Sequence, residues 1–135
     1  VRQKIFLDIF CGKWYNEVTL NLMEACKMTD KNDLPICPVE TTLTLISDKW
    51  KVLIIRDLRG GTKRFGELKK SLSGISQKVL TSNLRDMEEN GLLTRKTYPE
   101  VPPRVEYTLT ELGRSMFPIL DEMEKWGRKF KENVT

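Results

Sequence analysis

The sequence predicts a mainly α-helical domain that carries one small β-hairpin, and three observations lead there. Between residues 38 and 90 the apolar residues recur at helical spacing in four successive stretches, each bounded by a turn or capping signal. Two short stretches of alternating polarity, "LLTRKTY" and "RVEYTLT", follow, joined by "PEVPP". The remainder then places apolar residues at spacings of 4, 3, 4, 3 and 4 on what reads as one long helix.

Each element has its own justification. In "CPVETTLTLIS", Pro38 suits the first turn of a helix, where a missing N–H costs nothing, and Val39, Leu43 and Ile46 share a face. Asp48 is placed to cap the next helix, "KWKVLIIRDLRGG", which is expected to bury Trp50, Leu53, Ile54 and Leu58 and to stop at Gly60-Gly61. "TKRFGELKKSL" reads as a short third helix with Phe65, Leu68 and Leu72 inward. Ser73-Gly74-Ile75 is a tight turn, and Ser76 caps a fourth helix that Asn90-Gly91 ends. Ile75 and Leu80 have the spacing of a hydrophobic staple, which fixes the angle at which the chain enters that helix. Two short helices across a tight turn, the second amphipathic, form a helix-turn-helix pattern. The strand pair that follows is then a wing: Val105, Tyr107 and Leu109 lie on one face, and Pro102-Pro103 stiffen its tip. Thr110 is placed to cap a last helix running from about Glu111 to about Asn133, bent at Pro118. Its seam is Leu112, Met116, Ile119, Met123, Trp126 and Phe130, and Phe117 and Leu120 widen the stripe beyond what one small domain needs. A helix that packs on its own domain and on a second copy is expected. The domain division follows as 1–33, an N-terminal extension; 34–110, the core; and 111–135, a dimerisation helix.

Composition narrows the chemistry. The chain has 135 residues, 39% hydrophobic and 31% charged, which suits one globular domain with a core of its own. No apolar run approaches the roughly 18 residues of a membrane span. The chain contains no histidine, which removes Ser-His-Asp and Cys-His catalysis and most zinc sites. "RGGTKRFG" lacks the spacing of a phosphate-binding loop. An enzyme is not expected, and no cofactor or metal is called for. Cys11, Cys26 and Cys37 are too few and too irregularly spaced for a disulfide framework, and Asp8 interrupts the first apolar stretch with no cleavage site after it. A cytoplasmic location is the expectation.

The fourth helix raises the functional question. Its apolar side holds Val79, Leu80, Leu84 and Met87, and the opposite side holds Lys78, Thr81, Ser82 and Arg85. A duplex major groove admits an α-helix and offers donors and acceptors along its base edges. Lys and Arg can donate to guanine O6 and N7, Thr and Ser can bond phosphates or bases, and Gln77 can serve adenine or a phosphate. The helix N-terminus favours phosphate by its unsatisfied N–H groups and its dipole. Charge placement agrees: from Lys63 through Arg104 nine Lys/Arg stand against five Asp/Glu, a surplus of four, equal to that of the whole chain (23 against 19). Lys96 and Arg104 flank the hairpin tip, where a wing meets the minor groove or the backbone.

The run from Cys37 to Gly113 resembles the HxlR-type branch of the MarR-like winged helix-turn-helix transcriptional regulators. The resemblance rests on "DKWKVLII", "GTKRFGELKK", "ISQKVLTSNLRDMEENGLL" and the pattern Y-x-x-V-P-P-R-V-E-Y-x-L-T-x-x-G. It implies a homodimer built from the first and last helices, with the fourth helix in the major groove and the wing on flanking DNA. In this chain those roles fall to Ser76, Gln77, Lys78, Thr81, Ser82 and Arg85, and to Lys96 and Arg104, with Lys63 and Arg64 holding phosphates. The expected partner is double-stranded DNA carrying a two-fold operator, with half-sites about one helical turn (~34 Å) apart. Alternatives from other classes are a winged-helix protein-interaction module that never touches DNA, and a thiol enzyme centred on Cys37.

Several members of the family resembled are thiol-based sensors with a cysteine near the start of the first helix, and Cys37 occupies such a place. Helix N-termini favour the reactive thiolate form of a cysteine, whereas the nearby Glu40 and the lack of an adjacent Lys or Arg work against it. A half-buried structural cysteine is the competing reading, and the effector of the regulator is left open. Residues 1–33 match no pattern. They read either as a start-site extension, with Met28 a plausible beginning, or as a helix that packs on a partner subunit.

Overall fold

The computed structural model describes residues 34–134; the segment 1–33, with Cys11 and Cys26, lies outside the described residues. In chain order the elements are α1 (Pro38–Leu45), α2 (Lys49–Leu58), β1 (Lys63–Arg64), α3 (Phe65–Ser71), α4 (Gln77–Glu89), β2 (Leu93–Tyr98), β3 (Arg104–Leu109), α5 (Glu111–Arg114) and α6 (Phe117–Val134).

Local chemistry starts and stops these elements. Pro38 opens α1, and Cys37 stands at its N-cap. Asp48 caps α2 by accepting a hydrogen bond from the Trp50 amide at 3.1 Å. α2 buries Lys51, Ile54, Ile55 and Leu58, while Trp50 and Leu53 are only half-buried. The inward stripe is therefore rotated by one position from the expected Trp50–Leu53–Ile54–Leu58, because α4 packs on the side that carries Lys51 and Ile55. The Glu67 carboxylate accepts the Arg64 amide at 2.7 Å at the start of α3. Gly74, at φ 90°, makes the turn into α4, a backbone setting that side chains disfavour. The Ile75 amide bonds Leu72 O at 3.2 Å, and the Lys69 ammonium reaches the Ile75 carbonyl.

α4 begins as expected. Ser76 Oγ accepts the Val79 amide at 3.1 Å, a cap worth about 1 kcal/mol, and Ile75 and Leu80 are both buried as the staple requires. It ends in a Schellman turn, with Gly91 at φ 70°. The Gly91 amide bonds Glu88 O at 3.0 Å, and the Leu92 amide bonds Met87 O at 2.9 Å. Met87 and Leu92, the pair that such a turn brings together, are both buried. The chain therefore enters β2 directly under α4.

The sheet differs from the expected two-stranded hairpin. It has three antiparallel strands in the order β1-β3-β2. Lys63 and Arg64, read from sequence as the start of a helix, are extended and pair with Tyr107 and Glu106 on the open edge of β3. They cover part of an otherwise exposed strand edge. β2 and β3 pair from Leu93↔Leu109 to Tyr98↔Arg104.

The long C-terminal helix is also divided. Thr110 caps as expected, accepting the Gly113 amide at 3.1 Å, but α5 closes after Arg114 and α6 begins at Phe117. Pro118 falls in the first turn of α6, where its missing N–H is tolerated, so it sits inside a restart rather than bending a continuous helix. Met116, between the two, is buried in the domain's own core, and Leu112 packs on the same core. Both were expected in a seam between subunits; here they serve the fold of their own chain.

The core joins α2, α3 and α4 to the sheet through Ile54, Ile55, Leu68, Leu80, Leu84 and Met87. α2 is tied to α3 by the Asp57 carboxylate, which accepts from Ser71 Oγ and from Arg56. Partial burial opposes ionisation of Asp57, yet the Ser71 and Arg56 donors outweigh it and hold its pKa below the usual carboxylate value. α2 is tied to α6 by Arg59, which pairs with Asp121 and lies 4.9 Å over the Phe117 ring. The hydrogen bond from Arg59 lowers the Asp121 pKa.

Gly113 packs tightly against the residue that leads into the wing. A Cβ there would lie 2.1 Å from the Leu92 carbonyl oxygen. Gly113→Ala is expected to cost about 1–3 kcal/mol, seen as a melting temperature lowered by roughly 5–15 °C. An unchanged melting temperature would contradict this packing.

Candidate nucleic-acid interface

The interface is built on α4. Leu80, Asn83, Leu84 and Met87 are buried beneath it, and burying three such large apolar side chains is worth about 1.5–3 kcal/mol each. That burial turns Gln77, Lys78, Thr81, Ser82 and Arg85 outward, and all five are exposed. The side chains of Gln77, Lys78, Ser82 and Arg85 have no hydrogen-bond or ion-pair partner among the described residues. Thr81 donates its hydroxyl proton to Gln77 O at 2.8 Å, so toward a ligand it offers an acceptor. Ser76 uses its oxygen as the cap and keeps its O–H as a donor. The face thus presents donors at Lys78 and Arg85, both functions at Gln77 and Ser82, and an acceptor at Thr81.

The wing is less uniform than the charge count implies. By register Lys96, Tyr98, Arg104, Glu106 and Arg64 occupy one face of the sheet. Arg104 is half-buried there. Its guanidinium lies 4.0 Å over the Tyr98 ring, and its nitrogens approach Glu100 and Glu106 at 3.4 Å each. Its charge is balanced inside the wing, so it braces the hairpin. Lys96 is exposed, with its ammonium 4.9 Å from the centroid of the same Tyr98 ring. Arg64 is exposed, and Lys63 is half-buried in the pair with Tyr107, where its charge helps hold Asp57 ionised. Tyr107 points into the core, and burial raises its hydroxyl pKa.

Sequence reasoning missed three residues that position this face: Asp48 in its second role, Asn83 and Lys51. Asn83 donates to Asp48 Oδ2 at 3.1 Å, and Lys51 pairs with Asp86. The signal was present in α2, where Lys51 falls in the i, i+3, i+4, i+7 stripe with Ile54, Ile55 and Leu58, a place where a lysine is buried only with a partner.

Two apolar surfaces are left uncovered. None of α1 is buried, and Val39 and Leu43 are 63% and 56% exposed. On α6, Ile119, Met123, Trp126 and Phe130 are 40–68% exposed, and the last two rings stack at 5.4 Å. Cys37 is exposed at the N-cap of α1, and its backbone carbonyl accepts from the Thr41 amide and hydroxyl at 3.0 and 3.2 Å. Among the described residues no group of three His, Cys, Asp or Glu could hold a metal ion, and no helix is long and apolar enough to cross a membrane.

Comparison with known proteins gives this geometry a context. The family described as HxlR-like helix-turn-helix matches residues 45–135. The HTH-type transcriptional regulator YdeP of Bacillus subtilis (strain 168) is 45% identical over 103 residues, which is 76% of this chain and 80% of YdeP. A solved transcriptional regulator of the MarR family from Porphyromonas gingivalis W83 superposes with a TM-score of 0.67 at 43% identity, covering 76% of this chain and 96% of that one. The redox regulator HypR in its reduced form superposes with a TM-score of 0.68 at 41% identity, over 73% and 97% of the two chains. The sequence pattern, the three-stranded winged fold and these matches agree: this chain is a transcriptional regulator of the HxlR-like helix-turn-helix family.

Proposed function

We propose that the protein acts as a homodimer on a two-fold DNA operator, with one α4 in the major groove of each half-site. The observation that carries this reading is the outer face of α4, which is exposed, without acids from Gln77 to Arg85, and without internal partners at Gln77, Lys78, Ser82 and Arg85. Lys78 and Arg85 are the candidate base readers, and Ser76 with the α4 N-terminus, Gln77, Thr81 and Ser82 complete the contact. Lys96 supplies the wing contact, Arg104 stiffens that wing, and Lys63 and Arg64 would hold phosphates.

The dimer is supported by the two uncovered apolar surfaces. A monomer leaving Met123, Trp126 and Phe130 on one helix and Val39 and Leu43 on another in water exposes apolar surface of the kind that marks association sites. Its seam runs through Ile119, Met123, Trp126 and Phe130, with α1 contributing from the other end of the chain. Switching at Cys37 is a finer reading, favoured by its exposure at a helix start and by the likeness to a regulator named for redox control. Oxidation or alkylation there would add bulk or charge to the α1 start, next to the apolar face offered to the partner.

The DNA reading is tested by gel shift across a salt series. Affinity is expected to fall steeply with salt as Lys and Arg release condensed counterions. Arg85→Ala should cost about 1–3 kcal/mol and relax preference at one base position, whereas Lys96→Ala should weaken all duplexes alike. Equal loss on every sequence for both variants would remove the base-reading role of Arg85. For the dimer, sedimentation of Trp126→Glu is expected to show a folded monomer that has lost operator affinity, and a dimer of unchanged strength would refute the seam. For the thiol, quinone, aldehyde or hypochlorite is expected to change the DNA affinity of the unmodified sequence and leave that of Cys37→Ser unaltered; an equal response in both excludes Cys37 as the switch.

A further inference from the structure

Two polar rungs join α2 to α4. Asp48 Oδ1 caps α2, while its Oδ2 accepts from Asn83 Nδ2 at 3.1 Å. Asn83 Nδ2 also donates to Val79 O at 3.0 Å. One turn along both helices, Lys51 pairs with Asp86. Lys51 and Asn83 are each only 7% exposed, the buried polar side chains among the described residues. The rungs are three residues apart on each helix, so they stack one above the other.

Apolar packing cannot do what these rungs do. Contacts of Leu80, Leu84 and Met87 with the α2 stripe are non-directional. They determine which side of α4 is inward, and they tolerate a small rotation or slide. A hydrogen bond loses strength steeply with angle, and a base contact has the same sensitivity at the other side of the helix. The Lys51–Asp86 pair is buried at its lysine end and open at its carboxylate; ionic groups taken from water add little to stability compared with apolar side chains of the same volume, and their best-attested use is to select one register.

Asp86 also stands at the margin of the reading face. At 3.6 residues per turn it lies about 40° around the helix from Ser82, and its side chain is 45% exposed. Left uncompensated, its carboxylate would repel the phosphate backbone that the neighbouring Lys78 and Arg85 attract. Lys51 supplies the opposite charge from beneath the helix.

We propose that Lys51 is a positioning residue for DNA reading: with Asp86, and with the Asp48–Asn83 rung, it sets the rotation of α4 and screens an acid at the margin of the reading face, so that it governs specificity rather than stability. The proposal deepens the DNA reading and rests on it.

The test begins by selecting a preferred duplex from a random pool with the unmodified sequence. The ratio of affinity for that duplex over a scrambled one is then measured, together with the melting temperature, for Lys51→Met/Asp86→Leu, Lys51→Arg and Asp86→Asn. The double variant is expected to melt within a few degrees of the parent and to bind scrambled duplex within about twofold. Its specificity ratio should fall on the order of tenfold, the scale of one lost base contact. Lys51→Arg keeps the pair and should hold the ratio within about threefold. Asp86→Asn, which keeps a hydrogen-bond acceptor for Lys51 but not its counter-charge, should lower the ratio in the same direction and less far. A double variant that keeps the parental ratio within twofold overturns the proposal; should that variant not fold, an unchanged ratio in Asp86→Asn overturns it equally. Failure of the parent to select any duplex in the first step would instead overturn the DNA reading itself, before any variant is made.

Discussion

The burial of one stripe, Leu80, Leu84 and Met87 against α2, is the interaction on which the rest of the structure depends. Each of these side chains is essentially removed from solvent, and together they contribute several kcal/mol, more than any single polar contact nearby. A helix of 13 residues has little stability by itself in water. What makes α4 persist, and what decides which of its sides meets solvent, is this apolar seam. The polar outer face is a consequence: once the seam is buried, Lys78, Thr81, Ser82 and Arg85 have nowhere to go but outward.

Around that seam the ends of α4 are closed by local chemistry. Ser76 satisfies an amide at one end, and Gly91 lets the chain reverse at the other. The reversal delivers Leu92 and Leu93 back under the helix, so the wing starts from a buried anchor. The wing carries its own balance of charge. Tyr98 is covered by Arg104 and Lys96, and Glu100 and Glu106 absorb the charge of Arg104. A count of Lys and Arg overstates what such a hairpin can offer to phosphate, because part of that charge is spent within it.

A second tension runs through the chain ends. α5, Met116 and the first turn of α6 through Leu120 close the core, whereas the rest of α6 leaves it and shows water a stripe that continues the same spacing. The heptad pattern does not distinguish the two halves. A periodic apolar residue has to be buried somewhere, and its period is the same whether the cover is its own domain or another copy.

Much of this was legible in the sequence. The four helices, the caps at Asp48, Ser76 and Thr110, the staple, the turn glycines and the polar face of α4 all follow from short-range spacing, because capping and amphipathicity are decided by residues within one or two turns of each other. The tertiary structure alone decided the rest, because those features depend on partners far along the chain. Lys63 and Arg64 form a strand only because β3 has an open edge. The C-terminal helix divides because Met116 is drawn into the core. The inward stripe of α2 shifts to admit Lys51 because Asp86, 35 positions later in the chain, waits to receive it. Residue type and spacing determine what each segment can bury; which neighbour does the burying is settled only when the segments meet.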